Sequence, residues 1–159
     1  MDGVNIPTVQ PSNLPSRGRI LAVDWGSRRI GLALSDETRT LAQPLTTLIR
    51  RAGKRFPMAR LIDLVNHHQV TGIIVGLPLD ESGAEGDAAH AAKALADDIK
   101  RRVRDVEVTM WDERMTTARV LAAVREMGGS TRGRKADLDA MAAALLLQHY
   151  LDARRGTAL

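Results

Sequence analysis

Five carboxylates at three places in this chain have the types and spacing to do chemistry: Asp24, the pair Asp112-Glu113, and Asp137 with Asp139. Brought close together at pH 7, ordinary aspartates and glutamates are ionised. They would repel by about 4 kcal/mol per pair at 4 Å for an effective dielectric near 20. Only protons or cations hold such a cluster together. Donors made of oxygen alone select hard cations such as Mg²⁺ or Mn²⁺. Two such ions about 3.5–4 Å apart clamp a phosphodiester, activating the attacking water and stabilising the leaving oxygen. Each carboxylate also has a plainer role open to it. Asp24 can cap a turn, Glu113 can pair with Arg114 on the surface, and Asp139 can favour the dipole of a helix first turn.

The elements that must position these groups are legible in order. In Arg19–Asp36, RILAVDWGSRRIGLALSD, the run Ile20-Leu21-Ala22-Val23 is apolar without alternation, the pattern of a strand buried on both faces. It ends at Asp24, and Trp25-Gly26-Ser27 reads as a turn into a second strand, Ile30–Leu34. Leu45–Ile49, just after Pro44, predicts a third, antiparallel strand. Phe56, Ala59, Leu61, Ile62 and Val65 recur at helical spacing, giving a helix to about His68. Gly72–Leu77 is the next buried strand, stopped by Pro78, and an Ala-rich helix follows from about Asp87 to Val103. Val106, Val108 and Met110 alternate as a strand ending in Trp111-Asp112-Glu113-Arg114. Thr116 or Thr117 is a candidate cap for a helix through Met127, and a last helix runs from about Ala136 to Ala153.

A three-stranded meander followed by strands alternating with helices indicates an α/β layer structure with a mixed sheet. In an open sheet, ligands bind beyond the carboxyl ends of the strands. Asp24 and Asp112-Glu113 fall at such ends, and Asp137 and Asp139 open the last helix. Met1–Gly18, with Pro7, Pro11 and Pro15, reads as a disordered or loosely packed tail, leaving 19–155 as one domain.

The bulk properties narrow the partners. The 159 residues contain no cysteine, which excludes a disulfide framework and thiolate metal sites and fits a reducing, cytoplasmic setting. No apolar run approaches membrane-spanning length, so no membrane partner is expected. Lys+Arg number 23 against 19 Asp+Glu, a net charge of +4, which favours polyanionic partners. Aromatic residues are only 3%, too few for base-stacking platforms. The positive charge gathers at Arg28-Arg29, at Arg50-Arg51-Lys54-Arg55, and at Arg132, Arg134 and Lys135, all beside the proposed site. One such run alone is an ordinary solvated face. Several around one acidic pocket suit a nucleic-acid backbone, with arginine and lysine positioning the phosphates.

Taken together, AVDWGSRRIGLALSD, GIIVGLP, DERMTT and KADLDAMAAALLLQHYLD resemble the YqgF/RuvX family of bacterial proteins, over essentially all of Arg19–Asp152. Its members are described as Holliday-junction resolvases and as nucleases that mature the ends of pre-16S ribosomal RNA. The resemblance implies a ribonuclease-H-like fold, with a five-stranded mixed sheet flanked by helices. It also implies a divalent-metal nuclease, using Mg²⁺ or Mn²⁺ at a site of two ions, with precursor rRNA or branched DNA as substrate and ribosomal particles as possible company. By the same resemblance, Asp24, Glu113 and Asp139 are the catalytic, metal-holding carboxylates. Geometry agrees for the last of them. On a helix Asp139 shares a face with Ala142, Ala143, Leu146 and Tyr150, whereas Asp137 falls with Gln148 and Asp152 on what reads as the solvent side.

Two rivals belong beside this reading. Phosphotransferases of the actin and sugar-kinase class also open with an Asp-x-Gly-Ser/Thr hairpin, but need a second domain that 159 residues cannot supply. A non-catalytic RNA- or ribosome-associated factor of the same fold is the other, and three retained carboxylates argue against a pure phosphate binder. The sequence leaves monomer and homodimer both open, since no isologous patch is legible.

Overall fold

The computed structural model describes residues 18–51, 53–79, 82–112 and 135–158. Five strands, β1 (Arg19–Asp24), β2 (Arg29–Ser35), β3 (Ala42–Ile49), β4 (Val70–Leu77) and β5 (Glu107–Asp112), form one sheet in the order β3-β2-β1-β4-β5. β1 pairs antiparallel with β2, and β2 with β3, while β4 runs parallel to both β1 and β5. This is the mixed sheet expected of the ribonuclease-H-like fold.

The apolar run of β1 is continuous because each face of the sheet has its own core. Leu21 and Val23 pack with Ile73, Val75 and the helices α1 (Met58–His67) and α2 (Asp87–Arg102). Ile20 and Ala22 point the other way and pack with Ala33, Ile74 and the last helix, α3 (Lys135–Ala158), through Ala143, Leu146, Leu147, Tyr150 and Leu151. Each fully buried leucine or isoleucine in these layers contributes about 1.5–3 kcal/mol of transfer free energy.

Two elements depart from the pattern the sequence suggests. β3 starts at Ala42 rather than Leu45 and runs through Pro44. It can do so because it is the sheet's edge strand, with a register shift opposite Leu32/Ala33, and both are places where a missing N–H is tolerated. α3 continues past Ala153 to Ala158. Its extra turn is tied down at Arg155, which donates to the Thr40 carbonyl oxygen at 3.0 Å and pairs with Asp152, and Arg154 lies over the Tyr150 ring.

The side of α3 that carries Gln148 and Asp152 is not simply solvated. Gln148 accepts from the Ala42 N–H and donates to the Thr40 carbonyl oxygen, both at 2.9 Å, clipping the helix to the start of β3. The turn between β2 and β3 is closed by Asp36. Its carboxylate accepts from the Thr38 hydroxyl and from the Thr40 and Leu41 N–H groups, and these bonds hold its pKa down to about 2.

Much of the remaining basic charge has local partners. Arg101 and Arg102 both reach Asp98 on α2, as i,i+3 and i,i+4 ion pairs on an exposed helix end. Gly18 is held at the start of β1, its N–H on the Glu37 carbonyl oxygen and its own carbonyl receiving Arg39 Nε. Of the proposed tail Met1–Gly18 only Gly18 is among the described residues, and the proposed helix from Thr116 through Met127 lies outside them. No helix among the described residues is long and apolar enough to cross a membrane.

Candidate active site

Strand alternation decides which side chains meet at the carboxyl end of β1. Ile20, Ala22 and Asp24 share a face, and that face is the one covered by α3. The register partner of Asp24 on β2 is Gly31, which by the same alternation shares its face with Ala33 and Arg29. A Cβ on Gly31 would lie 2.5 Å from the Asp139 carbonyl carbon and 3.2 Å from the Ala140 nitrogen. The first turns of α3 therefore rest on the bare backbone of β2, one strand spacing from Asp24. Gly26 does the corresponding service in the turn, where a side chain would run into the Arg29 carbonyl oxygen.

Gly31→Ala should consequently push α3 off the sheet just where it delivers Asp139. Overpacking of this kind costs about 1–3 kcal/mol. A drop of that size in the urea unfolding free energy, together with reduced cleavage, is the expected result, and a variant with both unchanged would show that α3 does not need this contact.

Asp139 does not stand alone. Arg29 Nε donates to Asp139 Oδ2 at 2.6 Å, with the two side chains 39% and 22% exposed. The sequence places Arg29 among phosphate-contacting arginines; the fold instead pairs it with Asp139. Arg50 has a second role that the sequence does not announce. Its N–H reaches the Arg28 carbonyl oxygen at 2.7 Å and its Nε the Ser27 carbonyl oxygen at 2.9 Å, so it braces the β1–β2 turn. Arg28 and Arg51 are exposed beside that turn.

At the end of β5, Asp112 is the member of the pair Asp112-Glu113 that is among the described residues. Asp112 has the parity of Val108 and Met110, which pack on the α1/α2 side. Trp111 has the opposite parity. It packs under α3, its ring 5.1 Å from that of Tyr150 and its Nε1–H directed at His149 Nδ1 at 3.3 Å. Asp112 thus belongs to the face away from Asp24. Glu113 lies outside the described residues, as do Arg132 and Arg134, and Lys135 is the first residue of α3. Among the described residues no three carboxylates or histidines gather into a metal-holding group. Of the candidate carboxylates, Asp24 pairs in register with Gly31 and Asp139 is carried over the same Gly31, where Arg29 supplies it with a cation. An oxygen-only donor set that attracts positive charge fits a hard divalent ion.

The profile of the RuvX family, described as Holliday junction resolvase, matches residues 18–153. The chain belongs to the RuvX family. Its RuvX relatives include a Nocardia farcinica protein, named "Putative pre-16S rRNA nuclease", 39% identical over 151 residues, covering 91% of this chain and 83% of that one. A Roseiflexus protein of the same name is 38% identical over 138 residues, with 87% and 96% covered, and one from Rhodococcus jostii is 41% identical over 144, with 88% and 80% covered. Among solved structures, Thermus thermophilus RuvC in complex with a Holliday junction substrate superposes with a TM-score of 0.48 at 18% identity, over 88% of this chain and 97% of that one. As a RuvX protein, the chain is a nuclease, a hydrolase of phosphodiester bonds.

Proposed function

We propose that this RuvX protein is a divalent-metal-dependent endonuclease that acts on structured nucleic acid, trimming the 5′ end of precursor 16S rRNA, with four-way DNA junctions as the second substrate to test. The observation that carries the reading is the placement of Asp24 and Asp139 on one face at one end of the sheet, through the Asp24–Gly31 register pair and the seating of α3 on Gly31. Asp24, Asp139 and Glu113 are the residues that would hold Mg²⁺ or Mn²⁺. Such ions, two of them in this reading, supply the activation of water and the neutralisation of the leaving oxygen.

The chain's own residues do the rest. In this reading both carboxylates stand on regular elements, Asp24 at the end of β1 after four buried residues and Asp139 in the part of α3 that rests on Gly31. Arg28 and Arg51, exposed next to the turn, suit contacts with flanking phosphates, and Arg132, Arg134 and Lys135 are assigned the same role from sequence. No motif in the sequence is of a kind that reads base edges, so selectivity in this reading rests on substrate shape.

The test is cleavage of precursor rRNA and of a four-way junction, side by side, in Mg²⁺, in Mn²⁺ and in excess chelator. Activity lost in chelator and restored by either ion supports the reading. Undiminished cleavage in chelator would overturn the metal mechanism. Cleavage of the junction alone would move the substrate from RNA to DNA.

A further inference from the structure

We propose that Arg29 is a built-in counter-cation for Asp139, which a divalent ion must displace before the site is loaded. The proposal rests on the reading of Asp139 as a metal ligand and adds a control on that ligand. Strand alternation puts Arg29, Gly31 and Ala33 on the α3 face of β2, and the seating of α3 on Gly31 brings Asp139 over the same strand. The side chain of Arg29 therefore has the Asp139 carboxylate within reach by construction. The resulting bond, 2.6 Å from Nε to Oδ2, is at the short end for a charge-assisted pair.

An arginine keeps its charge at any working pH, so it cannot make room for a metal by losing a proton. A dication on the same carboxylate would face a fixed positive group a few ångströms away. The guanidinium has somewhere to go, because its side chain is 39% exposed. Released from Asp139, it becomes an unpaired cation at the rim of a site whose substrate is a polyanion, next to exposed Arg28. Loading of the metal and capture of a phosphate are then linked through one side chain: the ion takes Asp139, and Arg29 takes the phosphate. The opposing arrangement is that Arg29 stays on Oδ2 and orients the carboxylate for the metal, which would make it an aid to loading.

The two arrangements differ in sign. Mn²⁺ binding to the full-length protein, measured by titration calorimetry, should be roughly tenfold tighter in Arg29→Gln, the scale on which groups bonded to a metal ligand alter affinity. Arg29→Lys keeps the charge without the planar fork and should stay near the parent. In the Asp139→Asn background, Arg29→Gln should change nothing. In chelator, Arg29→Gln should melt at a lower temperature than the parent, and saturating Mn²⁺ should raise its melting temperature by more. With metal present, nucleic-acid binding by Arg29→Gln should lose about one unit of salt slope. Weaker or unchanged Mn²⁺ affinity in Arg29→Gln overturns the displacement and makes Arg29 an orienting residue. A tightening that persists in Asp139→Asn also overturns it, as a general charge effect. If Asp24→Asn and Asp139→Asn both bind Mn²⁺ like the parent, the carboxylate site itself is misplaced, and the proposal falls with it.

Discussion

Asp24→Asn should abolish cleavage in a protein that still folds and still binds its substrate. The side chain ends β1, whose inner residues Ile20–Val23 are all buried, on the face covered by the helix that carries Asp139, and the exchange keeps its size while removing the charge that would hold a metal. The loss should exceed the roughly 10–100-fold seen when a group merely supporting a metal ligand is removed. Binding should persist or tighten, because the basic residues are untouched and one negative charge has left a site that receives a polyanion. Cleavage assays at saturating metal and electrophoretic binding assays in chelator measure the two separately. An Asp24→Asn protein that cleaves like its parent would remove Asp24 from the site.

Asp139→Asn and Asp137→Asn should give opposite results. Position 137 lies two residues, about 200°, around α3 from position 139, so a site built on 139 leaves 137 on another side of the helix. Asp139 is on the side that meets β2, held by Arg29. Loss of that pair should cost at most about 1 kcal/mol of stability, since both partners are partly exposed. Cleavage should nevertheless fall by more than about 100-fold, a disproportion that a purely structural role would not produce. Asp137→Asn should remain active. Urea unfolding and cleavage rates on the matched pair provide the measurement, and an inactive Asp137→Asn beside an active Asp139→Asn would reverse the assignment.

Much of the architecture was legible in local patterns. The unalternating Ile20–Val23 run meant a strand covered on both sides, and both sides are covered. The 3.6-residue spacing from Phe56 and the Ala-rich stretch after Asp87 found α1 and α2 to within a turn. These succeed because burial on one or two faces writes a period into the sequence that neighbours alone can reveal. Element ends were less legible. Pro44 reads as a strand stop until it is known that β3 is an edge, and α3 is lengthened by Arg155 reaching a carbonyl oxygen on the β2–β3 turn.

By itself, the sequence determined the described strands and helices, their order, and Asp24 and Asp139 as carboxylates near element ends. Tertiary structure alone decided the company they keep. That Arg29 neutralises Asp139, 110 positions away, depends on the β1–β2 register and on Gly31 admitting a helix backbone where any side chain would bar it. That Asp112 falls on the α1/α2 face depends on the parity of β5 against a sheet whose other side carries α3. A charged residue looks the same in sequence whether it faces water, a phosphate or a carboxylate. Its partner is set by which faces are packed together, and no local period records that.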